Sequence, residues 1–97
     1  MFELEFTASA LDDLGYFKRA EQNLILNKIE ASLLHEPLVE TRHRKPLRPN
    51  DLSAWELRVG NFRVFYDVNE EKKVVLIKAV GYKKHNALYI RGRRFEL

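Results

Sequence analysis

Apolar and polar residues alternate most regularly over residues 54–68, AWELRVGNFRVFYDV, and the alternation breaks at Gly60-Asn61. Six apolar side chains share one face of the two runs: Trp55, Leu57, Val59, Phe62, Val64 and Tyr66. Two such runs joined by a Gly-Asn pair predict a β-hairpin with a two-residue turn. With Val59 and Phe62 flanking that turn, Arg58 lies directly across from Arg63 on the opposite face. Like charges placed opposite one another destabilise a sheet, so this pair needs an explanation.

The pattern on the N-terminal side predicts one strand followed by two helices. The segment MFELEF alternates as a short strand, and TASALDDLGYFKRA has helical spacing after a cap at Thr7 or Ser9. The segment EQNLILNKIEASLLHEP carries an apolar stripe and is ended by Pro37. We expect the two helices to form a hairpin packed on the sheet.

The remaining segments predict a loop and a buried strand. They leave the conformation of the C-terminal tail undecided. Residues 38–53 read as a loop with a turn at Pro49-Asn50-Asp51. Residues 74–80, VVLIKAV, are apolar on both faces, which is typical of a central strand buried on both sides. Residues 82–97 contain only a weak turn signal at Arg91-Gly92, and the pattern leaves both a short helix and an extended hairpin open.

This order of elements predicts a single α+β domain that spans residues 1–97. An N-terminal strand and a helical hairpin precede a three-stranded antiparallel meander. Together the strands form one mostly antiparallel sheet that has the helices on one face. We expect the other face to stay in contact with water and to collect Arg58, Arg63 and the basic residues of the loop.

Charge divides the chain into an acidic and a basic part. Residues 1–41 carry 3 Lys or Arg against 8 Asp or Glu, a net charge of −5, and residues 42–97 carry 14 against 6, a net charge of +8. A basic half suggests a polyanionic partner, although a solvated surface of interspersed charges is the plain alternative. The chain has no Cys, no signal-peptide pattern and no apolar run long enough to cross a membrane, so we expect a cytoplasmic protein.

Few residues suit a cofactor or a metal ion. The glycines are scattered and form no phosphate-binding loop, and His35, His43 and His85 fall in three separate elements. We therefore predict no cofactor and no metal.

The facing arginines have two interpretations. As structural groups, Arg58 and Arg63 pair with a carboxylate, for which Glu56 and Asp67 are available. As functional groups, two guanidiniums make a permanently charged fork for a phosphate. Further basic residues then extend a groove for a nucleic-acid backbone, and Phe65 and Tyr89 stack on bases. The basic residues of this predicted surface are Arg42, Arg44, Lys45, Arg48, Lys83 and Lys84.

The hairpin, read together with VVLIKAVGYKKHNALY, resembles the RelE/ParE superfamily of toxins from type II toxin–antitoxin systems. The resemblance covers essentially the whole chain, and LRVGNFRVFY is its most specific part. For the RelE-like branch it implies a ribosome-dependent endoribonuclease that cuts mRNA, and a cognate antitoxin that forms a hetero-oligomer with the toxin.

The resemblance also implies catalytic residues. RelE-type members have two lysines, two positions apart, in the first hairpin strand, and this chain has Glu56 and Arg58 there. Arg63, Lys83 and Tyr89 match the remaining basic and aromatic positions. Because Glu56 reverses a charge, it can serve as a general base with His85 as the acid, or it can simply pair with an arginine. Two alternatives stay open: a DNA gyrase inhibitor of the ParE branch, and a non-catalytic relative that only binds its antitoxin.

Overall fold

The computed structural model describes all 97 residues as two helices and a seven-stranded sheet. The elements are β1 (Glu3–Phe6), α1 (Ala8–Gly15), α2 (Arg19–Leu33), β2 (Arg44–Pro46), β3 (Trp55–Val59), β4 (Phe62–Asn69), β5 (Val74–Lys84), β6 (Ala87–Ile90) and β7 (Arg93–Phe95). Strands β2 to β7 follow one another across the sheet and pair antiparallel, and β1 pairs parallel with β5. The predicted α+β fold is confirmed, with β2, β6 and β7 added to the predicted strands.

The two helices cover one face of the sheet. The side chain of Thr7 caps α1 by accepting a hydrogen bond from the Ala10 N–H at 3.0 Å, as the sequence allows. The main core joins the helices to the apolar face of the hairpin, and its helical members are Ala10, Leu14, Ile25, Ile29 and Leu33. Neither helix is long and apolar enough to cross a membrane.

The hairpin has the register that the alternation predicts. Val59 pairs with Phe62 next to the two-residue turn, and Arg58 pairs with Arg63. Gly60 adopts a φ of 59°, a conformation that costs glycine little. Trp55, Leu57, Val64 and Tyr66 belong to or pack against the core under the helices, so the predicted inward face is confirmed.

The long strand β5 is the centre of the sheet. It pairs with β4 along one edge, and its other edge is shared by β1 and β6. Helix α1 fills the gap between these two short partners: Asp13 Oδ2 accepts from the Val80 N–H at 3.0 Å, and Thr7 Oγ1 donates to the Lys78 carbonyl at 3.2 Å. Beside the gap, a Cβ on Gly81 would lie 2.5 Å from the Tyr89 carbonyl oxygen, so only glycine allows β6 to approach this closely.

The tail of the chain is an extended hairpin, which settles the open choice for residues 82–97. Strands β6 and β7 turn at Arg91-Gly92, where φ is 51° and 76°, and Arg91 Nε contacts Asp13 Oδ1 at 2.9 Å. The tail thus closes on α1 through a charged pair.

The second face of the sheet is not open along its whole length, contrary to the prediction. Phe65, Ala79 and Leu88 form a second buried cluster, and Leu52 and Phe95 pack against it. The covering loop is held by Asn50, whose Oδ1 accepts from the N–H groups of Leu52 and Ser53 at 2.7 and 3.0 Å. The predicted turn around Asn50 therefore exists, and it brings apolar side chains over the middle of the sheet.

Candidate active site

A buried carboxylate lies between the two facing arginines. Glu56 Oε2 accepts from Arg58 Nε at 3.0 Å, and Glu56 Oε1 lies 3.9 Å from Arg63 Nε. Glu56 is only 4% exposed. Asp67, the other available carboxylate, instead lies 3.7 Å from Lys78 and accepts the Ala54 N–H. Glu56 thus supplies the counter-charge that allows two guanidinium groups to share one side of the hairpin.

The Arg63 side chain is fixed rather than free in water. It is 13% exposed, so its predicted place on an open face is wrong. Its Nη1 donates to the carbonyl oxygens of Gly60 and Phe62 at 2.9 Å each, while its Nε is buried without a hydrogen-bond partner. Burial lowers the pKa of the Arg63 guanidinium, the carboxylate of Glu56 raises it, and the charge of Arg58 lowers it. A rigid cation with donors to spare is suited to an oxyanion.

Two hairpin turns flank an open cavity of about 470 Å³, and none of the residues that line it is hydrophobic. Its lining residues are Arg58, Asn61, Arg63, Lys83, His85 and Asn86. The backbone N–H of Lys83 donates to the Asn61 carbonyl at 2.8 Å and so ties β5 to the β3–β4 turn. Four residues predicted as catalytic, Arg58, Arg63, Lys83 and His85, therefore share one cavity.

The turn between β5 and β6 borders this cavity, and its backbone has two positive φ angles. His85 and Asn86 are its two central residues, with φ of 52° and 65°. Asn and His are among the residues that adopt positive φ more often than other non-glycine residues, yet each pays some strain. Paired positive φ values are those of the tight turn that matches the twist of a hairpin. The turn therefore holds an imidazole at the rim of the cavity.

A second groove, of about 690 Å³, runs from the cavity toward β2. Arg58 lines both spaces, and the predicted basic residues Lys45 and Arg48 line the groove with Glu56. Lys45 is the cross-strand partner of Glu56, so its side chain shares the face of the arginines. No group of three or more His, Cys, Asp or Glu side chains is arranged to hold a metal ion.

Tyr89 lies apart from the other predicted catalytic residues. It pairs with Tyr82, and the two rings stack with centroids 5.4 Å apart and planes at 18°. Tyr82 packs against the main core and stacks in turn on Tyr16, the residue that follows α1. Because cross-strand partners share a face, Tyr89 is on the helical side of the sheet and not in the polar cavity.

Phe65 cannot stack on a base, and this predicted role is corrected. Its side chain has 0% exposure and is packed with Ala79 and Leu88. Alternation places Phe65 on the same face as the arginines, but the loop and the tail cover that part of the face.

Three predicted basic contacts lie outside the cavity and the groove. Arg44 faces the helices, where its Nε donates to the Val39 carbonyl at 2.8 Å and its Nη1 to the Ser32 carbonyl at 2.7 Å. Its guanidinium therefore closes the end of α2. Arg42 and Lys84 are exposed and line neither space.

Two asparagines of the cavity, Asn61 and Asn86, were not predicted from the sequence. Their signal is present in the sequence, since Asn61 lies in the predicted turn and Asn86 follows His85 directly. What the sequence did not show is that both turns meet at the same end of the sheet.

Comparison with models of protein families identifies the family of this chain. The family model for the ParE toxin of type II toxin–antitoxin systems, parDE, matches residues 4–87. The chain belongs to this toxin family. Its predicted membership of the RelE/ParE superfamily is thereby confirmed. A comparison with curated proteins gave no significant match.

Solved structures of RelE-type complexes share the fold of this ParE-family toxin. The RelBE2 toxin–antitoxin complex of Mycobacterium tuberculosis contains a chain 26% identical, with a TM-score of 0.69 over 84% of this chain and 98% of that one. The archaeal RelE–RelB complex of Pyrococcus horikoshii gives 22% identity, a TM-score of 0.69 and coverage of 87% and 97%. The intact Escherichia coli RelBE complex gives 21%, 0.61, 88% and 100%. The last two similarities establish the fold alone.

Proposed function

We propose that this toxin is a ribosome-dependent endoribonuclease that cuts mRNA at the cavity between the two hairpin turns. The observation that supports this function is the convergence of Arg58, Arg63, Lys83 and His85 on one polar cavity. Three cations and an imidazole in a fixed arrangement suit a reaction that builds negative charge on phosphorus.

The proposed reaction is an internal transesterification. The ribose 2′-oxygen forms a bond to phosphorus while the bond from phosphorus to the 5′-oxygen of the next nucleotide breaks. The products are a 2′,3′-cyclic phosphate and a 5′-hydroxyl. Arg58 and Arg63 hold the non-bridging oxygens as their charge grows, which lowers the barrier only if both guanidiniums are already in place.

The proton transfers are assigned to His85 and Lys83. The imidazole of His85 takes the proton of the 2′-hydroxyl, since histidine can accept or donate a proton near neutral pH. The ammonium of Lys83 donates a proton to the leaving 5′-oxygen. Glu56 is not assigned as the base because its carboxylate is buried and already engaged by the arginines.

The groove beside the cavity extends the proposed RNA path. Lys45 and Arg48 lie where the backbone on one side of the scissile phosphate would run. Phosphate contacts of this kind position a strand without reading its sequence.

Inducing the chain alone in a bacterium should produce mRNA fragments that begin with a 5′-hydroxyl. Mapping transcript 5′ ends checks this, and the same RNA incubated with ribosomes and purified toxin checks that the ends arise directly. Replacing His85 with alanine should lower cleavage about 100-fold, because one proton transfer loses its catalyst. Intact transcripts after induction of the native chain, with growth inhibited, would refute the proposal.

Inhibition of DNA gyrase is the second candidate function, and the family model favours it because it describes ParE toxins. A gyrase inhibitor should leave mRNA whole and block supercoiling by purified gyrase. A non-catalytic relative that only binds an antitoxin should do neither. The two measurements therefore separate all three possibilities.

A cognate antitoxin is the proposed partner, since the neighbouring structures are toxin–antitoxin complexes. Acidic residues of such a partner would meet the groove of Lys45, Arg48 and Arg58, and exposed apolar residues such as Leu11 and Leu24 would anchor it. Charge steering is screened by salt, whereas apolar burial is not. Raising NaCl from 0.1 to 1 M should slow association about tenfold and change dissociation little, as measured by stopped flow and surface plasmon resonance. Dissociation of the complex in 1 M NaCl would contradict this assignment.

A further inference from the structure

Two amide side chains stand among the charged groups of the cavity. Asn61 belongs to the β3–β4 turn and Asn86 to the β5–β6 turn, and both line the space with Arg58, Arg63 and Lys83. Charged groups bind a phosphate, which every nucleotide has, whereas an amide presents one donor and one acceptor side by side. With the other side chains of the cavity assigned to the phosphate and to the proton transfers, the two amides are left to distinguish one base from another.

Neither amide is used by the fold. The side chains of Asn61 and Asn86 make no hydrogen bond within the chain, and both residues are exposed. Two other asparagines behave differently: Asn50 bonds four backbone groups of its loop, and Oδ1 of Asn69, the last residue of β4, accepts the Lys72 N–H at 3.0 Å. The amides in the cavity are thus free for a ligand.

Backbone conformation accounts for only one of the two asparagines. Asn86 has a φ of 65°, a conformation that asparagine tolerates better than most residues. Asn61 has no positive φ, since Gly60 takes that place in its turn. A positive φ therefore does not require asparagine at position 61, although a Gly-Asn pair is common in such turns.

We propose that Asn61 and Asn86 read the nucleobase next to the phosphate held by Arg58 and Arg63, and that they select adenine. An asparagine amide matches adenine because it accepts from the N6 amino group while it donates to N7. Bases of single-stranded RNA are unstacked and expose these edges to side chains. This inference rests on the proposed function for the identity of the ligand, and it adds a base preference to that site.

Binding of non-cleavable RNA tests the proposal without relying on catalysis. The probes are tetranucleotides that carry 2′-O-methyl groups, so they have no 2′-hydroxyl to attack the phosphate. One set of four differs only in the base on the 5′ side of the central phosphate. A second set of four differs only in the base on its 3′ side. Fluorescence anisotropy at fixed salt should show adenine bound about 5- to 100-fold more tightly than the other bases in one set. In Asn61→Asp and Asn86→Asp the preference should move toward cytosine, whose N4 amino group donates to a carboxylate.

Three further variants separate base reading from charge and backbone effects. Asn69→Asp introduces the same charge at the end of β4, outside the cavity, and should leave the ratio between bases unchanged. Asn86→Gly removes the amide but allows the same positive φ. This variant should therefore lose the preference for adenine while it folds as the native chain does. The double variant Asn61→Gly/Asn86→Gly should bind all four bases within about twofold.

The outcomes for base preference and for cleavage are independent. Equal affinity for the four bases in the native chain, or a preference that survives both aspartate substitutions, overturns the inference even if RNA is cleaved. A preference that both asparagines control, without cleavage of unmodified RNA, supports the inference and removes the proposed catalytic function.

Discussion

Replacing Arg63 with lysine is expected to lower the rate of the proposed mRNA cleavage by about 100- to 1,000-fold. Lysine keeps the charge but loses the planar fork, and the fork holds Arg63 against the carbonyl oxygens of Gly60 and Phe62. An ammonium has only three donors, and its flexible stem does not hold them in a fixed plane toward both the carbonyls and a phosphate. The single-turnover rate on ribosome-bound mRNA measures the effect, and the loss of growth inhibition follows from it.

A matched substitution shows whether the effect belongs to the site. Arg93 of β7 is exposed, makes no ion pair and lies outside the cavity, so Arg93→Lys should cleave at the native rate. Full activity in Arg63→Lys, with circular dichroism unchanged, would show that the phosphate is bound elsewhere. Arg63→Glu is a poor probe, because it would place a second carboxylate in a nearly buried position beside Glu56 and test folding instead.

The hairpin could be predicted in detail because two local signals agree in it. Alternation assigns the faces, and the Gly60-Asn61 turn fixes the register, so the pairing of Arg58 with Arg63 followed from the sequence. The identity of the carboxylate between them did not. Glu56 and Asp67 are both within reach along the strands, and Asp67 instead lies beside Lys78, the residue that the irregularity in the β4–β5 register leaves without a partner.

Predictions failed where a distant segment decides what covers a face. Alternation puts Phe65 on the same side as the arginines, but burial of Phe65 depends on Leu52 and Phe95, which come from the loop and the tail. Such contacts have no local pattern in the sequence. The same reason explains why the sequence leaves the tail unassigned: β6 adds to the edge of β5 and β7 adds to β6, and neither pairing has a local signal.

The match of Tyr89 to a family position by its spacing along the chain did not show which side of the sheet its side chain faces. The two-residue turn at His85-Asn86 makes Tyr89 the partner of Tyr82, which packs under the helices. A similar limit applies to the basic loop, where Arg44 and Lys45 are neighbours in sequence. Once residues 44–46 form a strand, these two side chains point to opposite faces, and only Lys45 reaches the groove.

Replacing Glu56 with glutamine is expected to lower the free energy of unfolding by about 2 kcal/mol. The substitution keeps the shape of the side chain but removes the only negative charge between Arg58 and Arg63, and it leaves the nearly buried Arg63 without a counter-ion. Arg58 is 44% exposed, so solvent screens part of its repulsion and the full cost of a broken buried ion pair is not reached. Urea unfolding measures the change, and Glu70→Gln in the exposed β4–β5 turn should stay within about 0.5 kcal/mol of the native chain.

The role of Glu56 is then decided by two further measurements on folded protein. If Glu56 positions the arginines, Glu56→Gln lowers the cleavage rate but keeps both limbs of the pH–rate profile. If Glu56 is the general base, one limb of the profile disappears in Glu56→Gln. Removing the exposed arginine as well, in Glu56→Gln/Arg58→Gln, relieves the repulsion, so the double variant should lose less stability than the sum of the two single variants, by about 1 kcal/mol. Additive losses, or a Glu56→Gln variant as stable as the native chain, would mean that the carboxylate is not what holds the two guanidiniums together. In that case the pairing of Arg58 with Arg63 would have to be stabilised by the hairpin itself.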